Sequence, residues 1–232
     1  MMTYEAMEKF RAQYRANIRP GYRGSRHMGI VFLTALAIII YTLANVENTH
    51  WFEWLVFPFT MLLINFAEYY NHRWLGHKKT KIGQLFYSRH TGDHHSFFLS
   101  EAMGYESTRD WRVVLFPTFL LFAVLTLLIP IAWGLSNIFS ENTGYLFIAG
   151  GLTGYLYYEI MHFSYHVPPN SAEEQFFMKI PFWQQLRHLH VLHHRREVMH
   201  EKNFNITLPI FDYVLGTLYW EDIAKYDELT HG

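Results

Sequence analysis

The sequence predicts an all-α integral membrane protein with about four transmembrane helices and a helical cytoplasmic cap. Three observations predict it. Four apolar runs approach the length needed to cross a bilayer. The basic residues all fall on one side of those runs. Ten histidines gather in four clusters on that same side.

The apolar runs cover residues 28–46, 51–70, 113–135 and 144–165. A bilayer core needs about 20 apolar residues as helix. Half of the 232 residues are hydrophobic and only 17% are charged, where soluble domains carry about 25%. The plainer reading, four buried helices of a soluble bundle, does not explain the basic residues. The chain has 19 Lys and Arg, and none lies in the two short connections 47–50 and 136–143. Six precede residue 27, seven lie in 73–112 and six follow residue 166. With four crossings this is the positive-inside pattern. It puts both termini and the 71–112 segment in the cytoplasm, at a bacterial inner membrane or an endoplasmic reticulum membrane. The division that follows is a cytoplasmic basic arm, 1–26, and a single membrane-embedded domain, 27–232, with cytoplasmic His-rich segments at 71–112 and 166–222. The first run is long and no small-residue cleavage site follows it, so it does not read as a cleavable signal.

Shorter features leave alternatives. The arm, with spaced bases and Phe10, Tyr14 and Tyr22, suits either anionic headgroups or a solvated tail. Ser107 to Asp110 resembles a helix start. Gly150 and Gly154 are spaced for close approach of membrane helices, or mark a helix lacking one bulky face. Residues 172–183 suit the membrane interface or a packed surface helix. The net charge of −1 gives no basic excess for nucleic acid, and the absence of cysteine excludes disulfides and thiolate metal sites.

The histidines carry the chemistry. Of 15, ten form His72 and His77; His90, His94 and His95; His162 and His166; and His190, His193 and His194. A buried imidazole needs a partner for each ring nitrogen, so packing alone does not account for so many. All ten fall at one depth, at the cytoplasmic ends of the second and fourth runs and in the cytoplasmic segments. Residues four apart share a helix face. His162 with His166, His90 with His94, and His190 with His194 can therefore each bind one ion. Adjacent histidines point apart and can serve two. His72 and His77, five apart, do not align on a regular helix, and Gly76 between them marks a helix end. Two ions with about five nitrogens each is the simplest account, and imidazole suits Zn, Cu, Fe and Ni alike. The cap thus holds a dimetal site. Glu68 and Glu159, one turn before His72 and His162, are candidates to accept the far N–H of a ligating ring, to bind metal, or to face water. His188 abuts the last cluster as a further candidate. His27, His50, His200 and His231 read as structural or exposed.

The motifs His72-Arg-Trp-Leu-Gly-His77, His90-Thr-Gly-Asp-His94-His95, His162-Phe-Ser-Tyr-His166 and His190-Val-Leu-His193-His194, followed by Asn203-Phe204-Asn205 and Phe211-Asp212 to Gly216-Thr217, resemble the fatty acid hydroxylase / sterol desaturase superfamily of membrane di-iron proteins over residues 60–222. Asn205 and Phe211 depart from the Gly and Trp of that pattern, and neither touches a histidine motif. The resemblance implies two iron ions ligated by the ten histidines, with zinc a competitor in purified samples, and O2 as cosubstrate. It adds Asn203 and Asp212 as supporting residues. It implies hydroxylation of a lipid acyl chain, the pattern being nearest to fatty-acid 2-hydroxylases, with desaturation of a lipid or sterol as the alternative. With 26 residues before the first helix and no His-Pro-Gly-Gly haem motif, electrons are expected from a separate donor: cytochrome b5-like, ferredoxin or reductase. An unactivated C–H bond offers a side-chain base nothing to remove, so metal and oxygen carry that step. Tyr69, Trp74, Phe97, Tyr165 and Trp183 are channel or core aromatics. A metal carrier is the remote alternative; carriers set polar residues along a transmembrane path, and here the helix centres are apolar.

Overall fold

A computed structural model describes residues 3–221. Lys225 and His231 lie outside the described residues. The regular elements among the described residues are helical, with one isolated bridge between Leu99 and Ala102 and no strand. The long elements are α1 (Tyr4–Ala16), α2 (Gly24–Ala44), α3 (Val56–Asn71), α7 (Thr118–Ile138) and α8 (Glu141–Tyr165). Short helices α4 (Gln84–Tyr87), α5 (His95–Phe97) and α6 (Trp111–Val114) lie between α3 and α7, and α9 (Ala172–Phe177), α10 (Trp183–His193) and α11 (Ile210–Val214) follow α8.

Helix α8 is the hub, flanked by α2, α3 and α7. Its small residues decide how close the neighbours come. A Cβ on Gly150 would stand 2.5 Å from the Phe57 carbonyl, and one on Gly154 would stand 2.9 Å from Ile64 Cβ. Gly150 and Gly154 therefore seat α3 directly on the α8 backbone, the close-approach use of that spacing. Gly151 faces Leu128 of α7 in the same way.

Helices α2 and α7 bury one stripe each: Val31, Ala35, Ile39 and Thr42 on α2, and Leu121, Leu125, Leu128 and Ala132 on α7. Their other faces are equally apolar and stand exposed, as at Leu33 (69%), Leu127 (68%) and Trp133 (72%). A helix that is hydrophobic all round needs an apolar environment. Gly24–Ala44 and Trp111–Ile138 have the length and apolarity to cross a bilayer, with 22% of each apolar window buried. The other two expected runs differ. Residues 51–70 begin with a 3-10 turn at Glu53–Leu55, leaving 16 residues in α3. Helix α8 is long, but its glycines, tyrosines and Glu159 dilute its apolarity.

The N-terminal arm is packed. Met7, Arg11 and Tyr14 of α1 are buried. Arg11 donates to the carbonyls of Phe97 and Ala102, each at 2.8 Å. Arg15 binds Asp110 through Nε and Nη2, both at 2.9 Å. Asp110 sits just before α6, at the expected helix start, but its carboxylate turns back to accept from the backbone N–H groups of Glu106 and Ser107. The arm thus clamps the 95–110 segment. In 172–183, Glu174 meets Arg187 at 2.7 Å and Trp183 is buried, while Phe176 and Phe182 point outward. This is a packed surface helix with an apolar outer edge.

Replacing Gly154 by Leu forces α3 off α8, at a cost of about 1–3 kcal/mol for overpacking. Gly134→Leu, where nothing lies within 4 Å of the new Cβ, leaves the thermal midpoint unchanged. Melting both variants in detergent checks the contrast.

Candidate metal centre

Local backbone geometry delivers the histidines. Helix α3 runs into a wider turn over His72–Gly76, in which the His77 N–H bonds the His72 carbonyl at 3.1 Å. The same i to i+5 bond, His95 N–H to His90 C=O, closes the turn over Ser88–His94. An α-helix places residues five apart on different faces, whereas a π turn brings them together. His72 pairs with His77, and His90 with His95. Gly76 makes room for this, because a Cβ there would stand 3.0 Å from His90 Cδ2 and 3.4 Å from His72 Cδ2. The end of α8 supplies His162 and His166, and α10 with the residue after it supplies His190, His193 and His194.

The rings form two groups. His72, His77, His90, His95 and His193 form one, and His94, His166, His190 and His194 the other; within each, the ligand atoms lie within 4.8 Å of one another. His162 stands at the edge of the second, its Nε2 3.2 Å from His94 Nε2. None of the ten is more than 6% exposed. Adjacent histidines separate as the spacing suggested: His94 from His95, and His193 from His194. The expected sharing of one ion by His90 and His94 gives way to His90 with His95, because the turn is π rather than α. The ten divide as five and four with His162 beside the four, compatible with about five nitrogens for each ion.

The nitrogens point inward. Nε2–Nε2 separations are 3.0 Å for His77–His193 and His166–His190, and 3.1 Å for His77–His90 and His90–His95. Two imidazoles ~2.1 Å from one ion at right angles have nitrogens about 3.0 Å apart. On the far side, Nδ1 of His72 meets the Phe204 carbonyl at 2.5 Å, that of His193 meets Lys202 O at 2.8 Å, and those of His166 and His194 meet Met103 O and Phe98 O at 2.9 Å. Nδ1 of His94 meets Val113 O at 3.1 Å. A carbonyl only accepts, so each of these Nδ1 atoms carries the proton and each Nε2 presents a lone pair. Burial pushes His72 and His94 down to about 3. Burial, reinforced by neighbouring rings, drives His77, His90, His95, His190, His193 and His194 well below the ordinary range. Neutral rings with facing lone pairs repel one another and fit a pair of bound cations.

Other candidates have other partners. Glu68 accepts from the backbone N–H groups of Ile206 and Thr207 and, at 2.7 Å, from the Thr207 hydroxyl. Glu159 accepts from the Tyr155 hydroxyl at 2.9 Å. Among the described residues no bond runs from either to a histidine. Backbone carbonyls fill the role expected of them. Asp212 accepts from the Phe204 and Asn205 N–H groups and so steadies the carbonyl that holds His72. Asn203, at φ 56°, ties Leu189 to Tyr219. His188 bonds the Glu221 carbonyl and packs on Trp220, turned away from both groups. Sequence reasoning gave no role to Phe204, whose ring flanks His72, His77 and His193; His200, read as structural or exposed, is exposed, with its ring 5.3 Å from that of His77.

Two apolar cavities reach the histidines. One, of about 200 Å³, touches His90, His94 and His162; the other, of about 250 Å³, touches His72 between α3, α7 and α8. Leu75, Phe86, Phe116 and Leu120 line both. Of the aromatics read as channel or core, Tyr69, Phe97, Tyr165 and Trp183 are core and Trp74 is partly exposed; none lines either cavity.

The family model described as fatty acid hydroxylase matches residues 57–217. Two dihydroceramide fatty acyl 2-hydroxylases of Arabidopsis thaliana are similar to the chain. One is 29% identical over 157 residues, covering 66% of this chain and 56% of the relative. The other is 30% identical over 165 residues, covering 71% and 60%. The chain thus spans less than two thirds of either relative. A solved structure, full-length scs7p with only its hydroxylase domain visible, superposes with a TM-score of 0.60 at 23% identity, over 83% of this chain and 66% of that one; this establishes a shared fold.

Metal analysis of purified protein is expected to find two ions per chain. His193→Ala and His194→Ala, although adjacent, each remove a different ion. Loss of a direct ligand weakens its ion by at least the ~10–100-fold that losing a ligand's outer-shell support costs, so each variant retains one ion after brief chelation.

Proposed function

We propose a reaction that proceeds from one premise: the chain belongs to the fatty acid hydroxylase family. It acts as a membrane-bound oxygenase that hydroxylates a lipid acyl chain of fatty acid or sphingolipid type. In balance, a C–H bond, O2, two electrons and two protons give a C–OH bond and water. The electrons come from a separate one-electron carrier. Two iron ions, held by His72, His77, His90, His95 and His193 and by His94, His162, His166, His190 and His194, would supply the activation of dioxygen.

The single observation that carries this reading is the meeting of two buried, cation-demanding histidine groups with apolar cavities. A metal carrier has no use for an apolar approach to its ions. The protein's own contribution is placement. Phe86, Phe116 and Leu120 hold an apolar chain against the rings and keep bulk water from the reacting carbon. The Nδ1-to-carbonyl bonds fix the rings of His72, His94, His166, His193 and His194, so these ligands would keep their positions while the substrate is exchanged.

The membrane arrangement belongs to the same proposal. The single domain from residue 27 crosses four times, with α2 and α7 as the lipid-facing helices and α3 and α8 completing the bundle. Both termini and the histidine layer are cytoplasmic. The one-sided distribution of Lys and Arg supports this orientation.

The test is lipid mass spectrometry of cells expressing the chain beside cells expressing His193→Ala, with a reductase supplied and both proteins shown to accumulate. A lipid class gaining one oxygen only with the intact chain is the expected outcome. A class losing two hydrogens instead makes the enzyme a desaturase, and identical lipids in both cells overturn the oxygenase reading.

A further inference from the structure

A third cavity, of about 610 Å³, opens beside the two apolar ones. Arg19, Arg23, Arg26, Arg89, Arg112 and His27 line it, and no carboxylate does. The side chains of Arg19, Arg23 and Arg26 make no hydrogen bond or ion pair among the described residues. Arg89 meets Asp93 at 3.2 Å, which offsets one charge of five. Arg89 and Arg112 both reach the Tyr14 hydroxyl, at 3.5 and 3.2 Å, so α1 sets their position. Basic residues beside membrane helices are ordinary. A concave group of five with no lining acid is not, since like charges repel unless an anion joins them.

Its place in the fold says what that anion is. The cavity lies where α2 and α7 begin, lined by Ile30 of α2 and by Pro117, Thr118 and Phe119, the depth of lipid headgroups if those helices cross a bilayer. It shares Leu85, Arg89, Pro117 and Phe119 with the cavity that touches His90, His94 and His162. That cavity in turn shares Leu75, Phe86, Phe116 and Leu120 with the one beside His72. The three adjoin in series along these shared walls, cationic at one end and apolar beyond, with histidines lining the apolar two.

We propose that this series of cavities binds a phosphate-bearing lipid, its headgroup on the arginines and its acyl chain running past the histidines between α3 and α7. Guanidinium forks match phosphate oxygens in pairs, and 610 Å³ is ample for a phosphate ester. The assignment rests on the oxygenase reading and names its substrate class: an acyl chain on an anionic phosphate head, with a carbon near the head end beside His90 and His94.

Binding is measured without turnover. The full chain, purified in dodecyl maltoside, is titrated with dodecyl phosphate or with inorganic phosphate while its thermal midpoint is followed. The expected result is stabilisation by dodecyl phosphate, far above that from inorganic phosphate, and weakened about tenfold or more in Arg23→Gln/Arg26→Gln. Filling the apolar part with Leu120→Trp weakens dodecyl phosphate to a similar degree. Equal protection by inorganic phosphate identifies a free-phosphate site and overturns the proposal. So does wild-type protein that binds dodecyl phosphate no better than the surrounding maltoside detergent, a result independent of how the variants fold. If dodecyl phosphate binds as expected but no cellular lipid gains oxygen, the oxygenase reading fails and the headgroup site stands. If a lipid gains oxygen while dodecyl phosphate does not bind, the headgroup proposal alone fails.

Discussion

The structure turns on a bond of ordinary strength, the one from a histidine Nδ1–H to a backbone carbonyl. Five such bonds, to Phe98, Met103, Val113, Lys202 and Phe204, fix the rings of His194, His166, His94, His193 and His72. Each bond is worth only about 1 kcal/mol net. Together they decide which nitrogen holds the proton, and hence that lone pairs face lone pairs in a buried space. Rotating a ring to relieve the repulsion would orphan a buried carbonyl, which costs about 1–3 kcal/mol. A cation bound by each group would resolve both demands. The carbonyls come from segments far apart in the chain, so metal binding, once in place, ties those segments to one another.

This explains what the sequence could and could not disclose. Number and adjacency of the histidines were legible, and the splitting of His94 from His95 and His193 from His194 follows from adjacency alone. The partners of the rings were not legible, because a carbonyl belongs to every residue and leaves no trace in sequence. Carboxylates do leave a trace, and Glu68 and Glu159 drew attention for that reason. In the fold Glu68 fastens Ile206 and Thr207, beside the carbonyl that holds His72. The π turns were legible only in hindsight. The five-residue spacing of His72 and His77 conflicts with an α-helix, and that conflict was itself the signal. His90 and His95 share the spacing, but His94 offers an α-compatible alternative that hides it.

Helix placement shows the same division. Length and apolarity located α2 and α7, whose exposed outer faces remain as apolar as their buried stripes. They did not foresee that α3 would lose its first turn, or that α8 would serve as a buried hub built on Gly150, Gly151 and Gly154. Nor did composition reveal the role of the arm. The bases of α1 read as a headgroup-binding arm or a solvated tail until Arg11 and Arg15 are seen spanning to Phe97, Ala102 and Asp110. A buried arginine that donates to two carbonyls and an acid is a structural clamp, and what it clamps is the segment between His95 and α6.

The clamp and the arginine cavity share an origin. Helix α1 must lie against the 95–110 segment for Tyr14 to reach both Arg89 and Arg112, and Arg89 lines the boundary between the cationic and the apolar cavities. The next residue, His90, belongs to the five-histidine group. One turn of chain thus joins the charged opening to the metal centre, and the π geometry that pairs His90 with His95 also fixes where Arg89 stands. A displacement of α1 would move the opening and the ring together. The arm is therefore part of the site's architecture: it sets the distance between where a polar head can rest and where a carbon can meet the histidines.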